Sequence, residues 1–156
     1  MFRMTRQSDY GIVLMTQMSR QAPETVYAAR DLAAETQLPL PMVSKILKAL
    51  ARTDMLVSHR GIKGGYSLGR PPGAISVAEI ICTLEGPIAI TECSVSGDGN
   101  CKQELVCPIR GNWQRINQAV LQALEGITLV EMAGPLPGSL LGLGIPGEPH
   151  GAGCAG

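Results

Sequence analysis

Three of the chain's five cysteines fall in one short stretch, Cys93-Ser-Val-Ser-Gly-Asp-Gly-Asn-Cys101-Lys-Gln-Glu-Leu-Val-Cys107. Its first half is Gly, Ser, Asp and Asn, so it has little apolar surface to bury and no packing reason to fold. Three thiolates on such a loop suit a soft metal or an iron–sulfur cluster. Zinc and redox-active thiols are the other chemistries these residues could support. A zinc site usually closes with four ligands, and neither His59 nor His150 is near in sequence. The spacing Cys-x7-Cys-x5-Cys also lacks the Cys-x2-Cys knuckle of small zinc modules. Cluster, zinc and thiol chemistry all stay open at this level. Cys82, among Ile80, Ile81 and Leu84, reads as a buried small hydrophobe, and Cys154 as incidental.

The N-terminus, Met-Phe-Arg-Met-Thr-Arg, has no signal-peptide core, and no apolar run is long enough to span a bilayer. A cytoplasmic location follows, where thiols stay reduced and clustered cysteines tend toward metal or redox chemistry rather than disulfides. Aromatic residues are 3% of the chain, so Leu, Ile, Val, Ala and Met must build the core. Net charge is zero but unevenly spread: residues 1–70 carry ten Lys/Arg against five Asp/Glu (+5), residues 71–156 three against eight (−5). That asymmetry suggests one half facing an anionic polymer and another serving regulation or assembly.

The elements that must position these residues can be read in order. Residues 8–20 form a first helix with Ser8 as N-cap, an apolar stripe of Ile12, Leu14, Met15 and Met18, and Gly11 allowing a close packing contact. Residues 29–36 form a short helix, Gln37–Leu40 a tight turn, and a third helix runs from Pro41 to about Arg52. Val43, Ile46, Leu47 and Leu50 share one face of it, leaving Ser44, Lys45, Lys48 and Arg52 outside. This is a helix-turn-helix.

Strands at 55–58 and 66–68 flank His59-Arg60-Gly61-Ile62-Lys63-Gly64-Gly65, a basic hairpin in the position of a wing. Its tip can reach a minor groove or phosphates through Arg60 and Lys63. A capping box at Ser76–Glu79 starts a helix that Gly86-Pro87 stops. Pro108 opens a long helix to about Glu125, in which Ile109, Trp113, Ile116, Val120, Ala123 and Ile127 make an a/d seam for a second copy, with Trp113 a packing anchor. Thr128–Glu131 is a second capping box. The expected class is mainly α: a winged helix-turn-helix DNA-binding domain (1–73), a ligand loop with a long dimerisation helix (74–133), and a disordered Gly/Pro-rich tail (134–156). No nucleophile–base pair, phosphate loop or cofactor fingerprint is present, so an enzyme is not expected.

Ser8-Asp9-Tyr10, the run Leu38-Pro-Leu-Pro-Met-Val-Ser-Lys-Ile-Leu-Lys48, the wing Arg60-Gly-Ile-Lys-Gly-Gly-Tyr-Ser-Leu-Gly69 and three cysteines before a long helix together resemble the bacterial IscR/NsrR-type winged-helix regulators. Thr91-Glu-Cys93 and Cys107-Pro-Ile-Arg-Gly-Asn-Trp113 look most like the branch that controls the Suf iron–sulfur assembly system. The resemblance covers roughly residues 1–133. It implies a homodimeric repressor on double-stranded DNA with a pseudo-palindromic operator, whose affinity is set by an iron–sulfur cluster. Cys93, Cys101 and Cys107 match the three thiolate ligands. The IscR-type pattern has a histidine three residues after the last cysteine, where this chain has Arg110. NsrR-like members use an N-terminal Asp of the other subunit, matched by Asp9, with Glu92 and Glu104 as reserves; an acid there would in any case favour the helix N-terminus. A 2Fe–2S cluster is preferred and 4Fe–4S is the alternative. Ser44, Lys45, Lys48 and Arg52 on the third helix, Arg60 and Lys63 on the wing, and Arg3, Thr5 and Arg6 at the N-terminus are the expected DNA contacts.

Overall fold

The computed structural model describes residues 4–91 and 106–135. In chain order these form α1 (Arg6–Met18), α2 (Ala29–Thr36), α3 (Leu40–Ala51), β1 (Leu56–His59), β2 (Gly65–Leu68), α4 (Val77–Glu85), α5 (Arg110–Glu125) and α6 (Leu129–Ala133), with a single 3-10 turn at Pro72–Ala74. This is the mainly helical winged helix-turn-helix that the sequence leads one to expect.

Helix α1 begins two residues earlier than its apolar stripe suggests. Thr5, not Ser8, is the cap: its hydroxyl accepts from the Ser8 amide at 3.4 Å. Ser8 is thereby carried inside the first turn and buried completely. Leu14, Met15 and Met18 are buried as the periodicity requires. At Gly11 a Cβ would meet the end of the Leu84 side chain, so α1 and α4 approach closely at this point.

The turn between α2 and α3 is set by Gln37, which adopts a left-handed conformation (φ 55°) while the Leu38 amide donates to Ala33 O at 3.1 Å. Pro39 then caps α3 in an extended conformation, and Pro41 occupies its first turn. Val43, Ile46, Leu47 and Leu50 are all fully buried. With four apolar contacts fixing one face, the rotation of α3 about its axis is determined and the basic face must point outward.

Strands β1 and β2 pair antiparallel with Leu56 opposite Leu68 and His59 opposite Gly65. The tip is closed by the Gly64 amide donating to Gly61 O at 3.0 Å, with Gly61 at φ 105°. Tyr27 adds a third extended segment, exchanging two 2.8 Å backbone hydrogen bonds with Tyr66. A Cβ at Gly65 would strike the Tyr27 carbonyl, so glycine is required where the wing passes this segment.

Both capping boxes are formed, at Ser76–Glu79 and at Thr128–Glu131. After α5 the chain returns to the start of α4: the Val77 amide donates to Ile127 O at 2.9 Å and the Leu129 amide to Ile75 O at 3.1 Å. Residues on both sides of position 73 therefore share one buried cluster, in which Ile75, Ile80 and Leu129 join Leu14 and Leu47. The core is aliphatic and Met-rich, as the scarcity of aromatics demands. The tail from residue 136 onward lies outside the described residues. Among the described residues no helix is long and apolar enough to cross a membrane.

Candidate nucleic-acid interface and thiol stretch

On α3, Lys45, Lys48 and Arg52 are exposed and Ser44 is half-buried at the edge of the same face. The spacing of three and four residues lines the cations into one stripe down the helix. Arg60 and Lys63 are exposed on the adjoining wing. None of these five cations is paired with a carboxylate among the described residues, where the ion pairs are Arg30–Asp31 and Arg70–Glu79. A helix with an unpaired basic stripe beside a basic hairpin presents point charges and hydrogen-bond donors to a polyanion. His59, the last residue of β1 before the tip, has Nε2 2.9 Å from Ser67 Oγ and is fixed across the hairpin.

At the N-terminus Arg6 is exposed, whereas Arg3 lies outside the described residues. Thr5, expected to face DNA, has its hydroxyl engaged elsewhere: the Glu85 carboxylate accepts from it at 2.5 Å and from the Thr5 amide at 3.3 Å. Gln7 donates from Nε2 to Leu84 O at 3.1 Å. Burial pushes the Glu85 carboxyl upward, but the Ser8 hydroxyl nearby and the hydrogen bonds from the Thr5 hydroxyl and amide outweigh it and hold the group below its ordinary value. Glu79 behaves in the same way: burial raises it, and the Ser76 amide and the Arg70 guanidinium at 3.0 Å pull it down further.

Of the sulfur ligands expected from the sequence, Cys107 is described: it is half-buried immediately before α5, and its carbonyl accepts from the Arg110 amide at 3.4 Å. Cys93, Cys101 and the reserve carboxylates Glu92 and Glu104 lie outside the described residues. Asp9 is exposed in the first turn of α1. Arg110, in the position where the resemblance would have a histidine, is half-buried. Among the described residues no three His, Cys, Asp or Glu side chains come together as a metal site. Cys82 is half-buried rather than fully buried, because α4 turns Val77, Ala78, Ile80 and Ile81 inward and leaves position 82 at the margin. Cys154 lies in the tail outside the described residues.

The long helix α5 differs from its sequence reading in one respect: it has an inner face. Asn117 is its most buried residue, 9% exposed. Its amide nitrogen donates to Ile88 O at 3.2 Å and its amide oxygen accepts from the Ile90 N–H at 3.0 Å. Val120 and Leu124 line the same side, facing Ile81, Ile88 and Ile90 across an open apolar groove. The outer face keeps Ile109, Ile116 and Ile127 at 49%, 45% and 39% exposure, while Trp113 and Val120 are half-buried. Most of the expected seam is thus unpartnered within one protomer, while Val120 lines the inner groove instead. Asn117 escaped the sequence reading because a polar residue in a long helix looks solvent-facing. The signal available was its position one helical turn from Leu121 and two from Leu124 on a second, inward stripe.

A family model described as an iron-dependent transcriptional regulator, Rrf2, matches residues 4–135. An HTH-type transcriptional regulator of Mycobacterium tuberculosis, Rv1287, is 35% identical over 133 residues, covering 85% of this chain and 81% of that protein. The HTH-type regulator CymR of Bacillus subtilis is 31% identical over 124 residues, covering 80% and 84%. Its solved structure, described as that of the global cysteine regulator, superposes with a TM-score of 0.67 at 28% identity, covering 85% of this chain and 97% of that one. IscR of Vibrio cholerae is 24% identical over 130 residues, covering 83% and 74%. The winged helix, the basic face of α3 and these matches agree, and the chain belongs to the Rrf2 family of DNA-binding transcriptional regulators.

Proposed function

We propose that this regulator is a cytoplasmic repressor of Suf-type iron–sulfur assembly genes that senses an iron–sulfur cluster and binds a pseudo-palindromic operator as a homodimer. The observation that carries the reading is the donor set: three cysteines in one short stretch, the last of them half-exposed at the start of α5. Three thiolates with one carboxylate suit a cluster. The family's description as iron-dependent supports the same choice. Cys93, Cys101 and Cys107 would hold it, with Asp9 offered across the dimer as fourth donor. A 2Fe–2S cluster is preferred over 4Fe–4S; when bound it would supply sensitivity to iron supply and to oxidants.

The chain's own residues do the rest. Helix α3 enters the major groove, where Ser44, Lys45 and Lys48 meet bases or phosphates and Arg52 a phosphate. Arg60 and Lys63 flank it from the wing, and Arg3 and Arg6 contact the backbone. Thr5 contributes by holding the turn that presents Arg6. A carboxylate of α1 bound to the other protomer's cysteine stretch would fix the separation of the two α3 helices. Full switching between two postures needs a differential affinity of about 5.5 kcal/mol.

The test is the anaerobic absorption spectrum with iron and sulfide counts, for the wild type and Cys101→Ala. Visible absorbance lost in the variant is expected; a variant that keeps it removes the ligand assignment. A second reading, a zinc-binding or thiol-redox regulator without a cluster, is supported by the likeness to a regulator named for cysteine. Zinc without iron or sulfide in the purified protein would favour it.

A further inference from the structure

The wing carries an imidazole that the DNA contacts proposed above leave unused. His59 ends β1, is exposed, precedes Arg60 and pairs across the ribbon with Gly65. Strand alternation puts its ring on the face that carries Ser67, and Nε2 lies 2.9 Å from Ser67 Oγ. Ser67 is 5% exposed, and the ring is the hydrogen-bond partner of this enclosed hydroxyl, so the contact is costly to break. It survives a change of charge: a neutral Nε2 can accept from the hydroxyl, and a protonated Nε2 can donate to it once the hydroxyl turns. The ring is therefore held in one place in either state, with Nδ1 as its second nitrogen for another partner. Most charges nearby are positive. Arg60 and Lys63 share the hairpin, and α3, which packs on β1, carries Lys45, Lys48 and Arg52. The remaining ionisable groups are Tyr66 on the opposite face of β2, Glu24 and Tyr27 on the segment that pairs with β2, and Asp54 at the far end of β1. None of these groups forms a hydrogen bond or ion pair with His59 among the described residues.

An imidazole changes charge between about pH 8 and 5, and an opposite charge close by favours its protonated form. Among the described residues no carboxylate is placed to do this, whereas a DNA phosphate would be. We propose that His59 is a third cation of the wing, contacting the DNA backbone in its protonated form, so that DNA binding takes up a proton there. The inference rests on the wing reading given above and goes beyond it. Arg60 and Lys63 bring a fixed charge, whereas His59 makes affinity for DNA depend on acidity.

The test titrates the full chain with a duplex that wild type selects from a random-sequence pool, at about pH 6 and about pH 8, as wild type, His59→Gln, His59→Lys and Arg60→Ala. Proton uptake is counted by calorimetry in two buffers of different ionisation heat, and amide exchange at Tyr66 checks that the hairpin is kept. At the lower pH wild type should bind roughly tenfold more tightly than His59→Gln, with a salt slope steeper by about 1. At the higher pH the two should converge. His59→Lys should bind tightly at both values and take up fewer protons than wild type. Equal proton uptake and equal pH response in wild type and His59→Gln, with Arg60→Ala weakened, would overturn the role of His59 while leaving the wing reading intact. An Arg60→Ala protein with wild-type affinity and salt slope would overturn the wing reading, and this role with it. A His59→Lys protein as weak as His59→Gln at both values would also refute it, since a fixed charge at that position would then meet nothing.

Discussion

The Glu85 carboxylate at the end of α4 accepts from both the amide and the hydroxyl of Thr5, at 3.3 and 2.5 Å, and so closes the N-terminal turn of α1 onto the last turn of α4. Thr5 is at once the cap of its own helix and the anchor of another. Arg6, the first residue of α1, is presented from this junction, and the chain from Glu85 leads directly to Gly86-Pro87 and the Asn117 contact. Replacing Thr5 by Ala removes the cap and leaves the carboxylate with fewer donors. A loss of about 1 kcal/mol is expected, read as a lower urea midpoint at unchanged slope, with Thr5→Ser close to wild type. An Ala variant as stable as wild type would mean that the junction contributes nothing.

The same carboxylate carries a pH signature. Glu85 and Glu79 both titrate below their ordinary value of 4.5 in the folded protein, because the nearby Ser8 hydroxyl and the Thr5 donors in one case, and Ser76 and Arg70 in the other, outweigh burial. A depressed folded value means the unfolded chain binds the proton more readily. The stabilisation is complete above the unfolded value and is lost as pH falls through the folded one. Stability should therefore drop below about pH 4.5, and the double variant Glu79→Gln, Glu85→Gln should be less stable near neutrality but flatter in acid. Parallel wild-type and variant curves over pH 3–6 (an experimental window of roughly that width) would contradict this.

What the sequence made legible follows from where the stabilising partner lies along the chain. Helix α2, the two capping boxes, the α3 stripe and the wing were readable because their determinants are local: Pro39 and Pro41 around one start, Ser76 three residues before Glu79, glycines at a tip. The cap of α1 was misread because Ser8 and Thr5 are both competent caps, and only the Glu85 contact, 80 residues away, favours Thr5. The outer seam of α5 was visible as a repeat, but its inner face was not, since Asn117 is explained only by backbone groups of an irregular segment. Gly11 was readable as a close contact, whereas Gly65 was not, because its neighbour Tyr27 lies outside the hairpin.

Those two glycines should respond differently to the same substitution. At Gly65 the added methyl meets the Tyr27 carbonyl, a backbone atom that is itself in a paired segment. At Gly11 it meets the end of the Leu84 side chain, which can rotate away, and the helix gains propensity of roughly 0.5–1 kcal/mol. Gly65→Ala should cost about 2 kcal/mol and loosen the wing, while Gly11→Ala should stay within about 1 kcal/mol of wild type. Thermal melts with amide exchange at Tyr66 decide it; equal effects at the two positions would show that the Tyr27 pairing is not a constraint.

The basic stripe makes a quantitative prediction about DNA. If Lys45, Lys48, Arg60 and Lys63 each meet a phosphate, each Ala variant should weaken binding to all sequences alike and lower the salt slope by about 1. A residue of α3 that reads a base edge should instead lose about 1–3 kcal/mol on the specific site alone. Titrations at several salt concentrations on operator and random duplexes separate the two. Slopes unchanged in all four variants would remove α3 and the wing from the interface.

The outer face of α5 predicts assembly. Ile109 at the start of α5 and Ile116 seven residues on return to one side of the helix, Ile127 follows just past its end, and all three remain 39–49% exposed in the isolated protomer. Large aliphatic side chains left in water along and just beyond the helix gain most by meeting their own copies across a two-fold axis, where the same residues serve both sides. Ile116 is central, so Ile116→Asp would bring two carboxylates together in a desolvated seam. Losing about 3 kcal/mol there corresponds to a dimer constant weaker by more than 100-fold. Sedimentation equilibrium should show monomer at micromolar concentration, with the circular dichroism spectrum intact because Ile116 takes no part in the protomer core. Binding to a full operator should collapse toward that of a half-site, while half-site binding persists. An Ile116→Asp protein that stays dimeric would exclude this face as the seam.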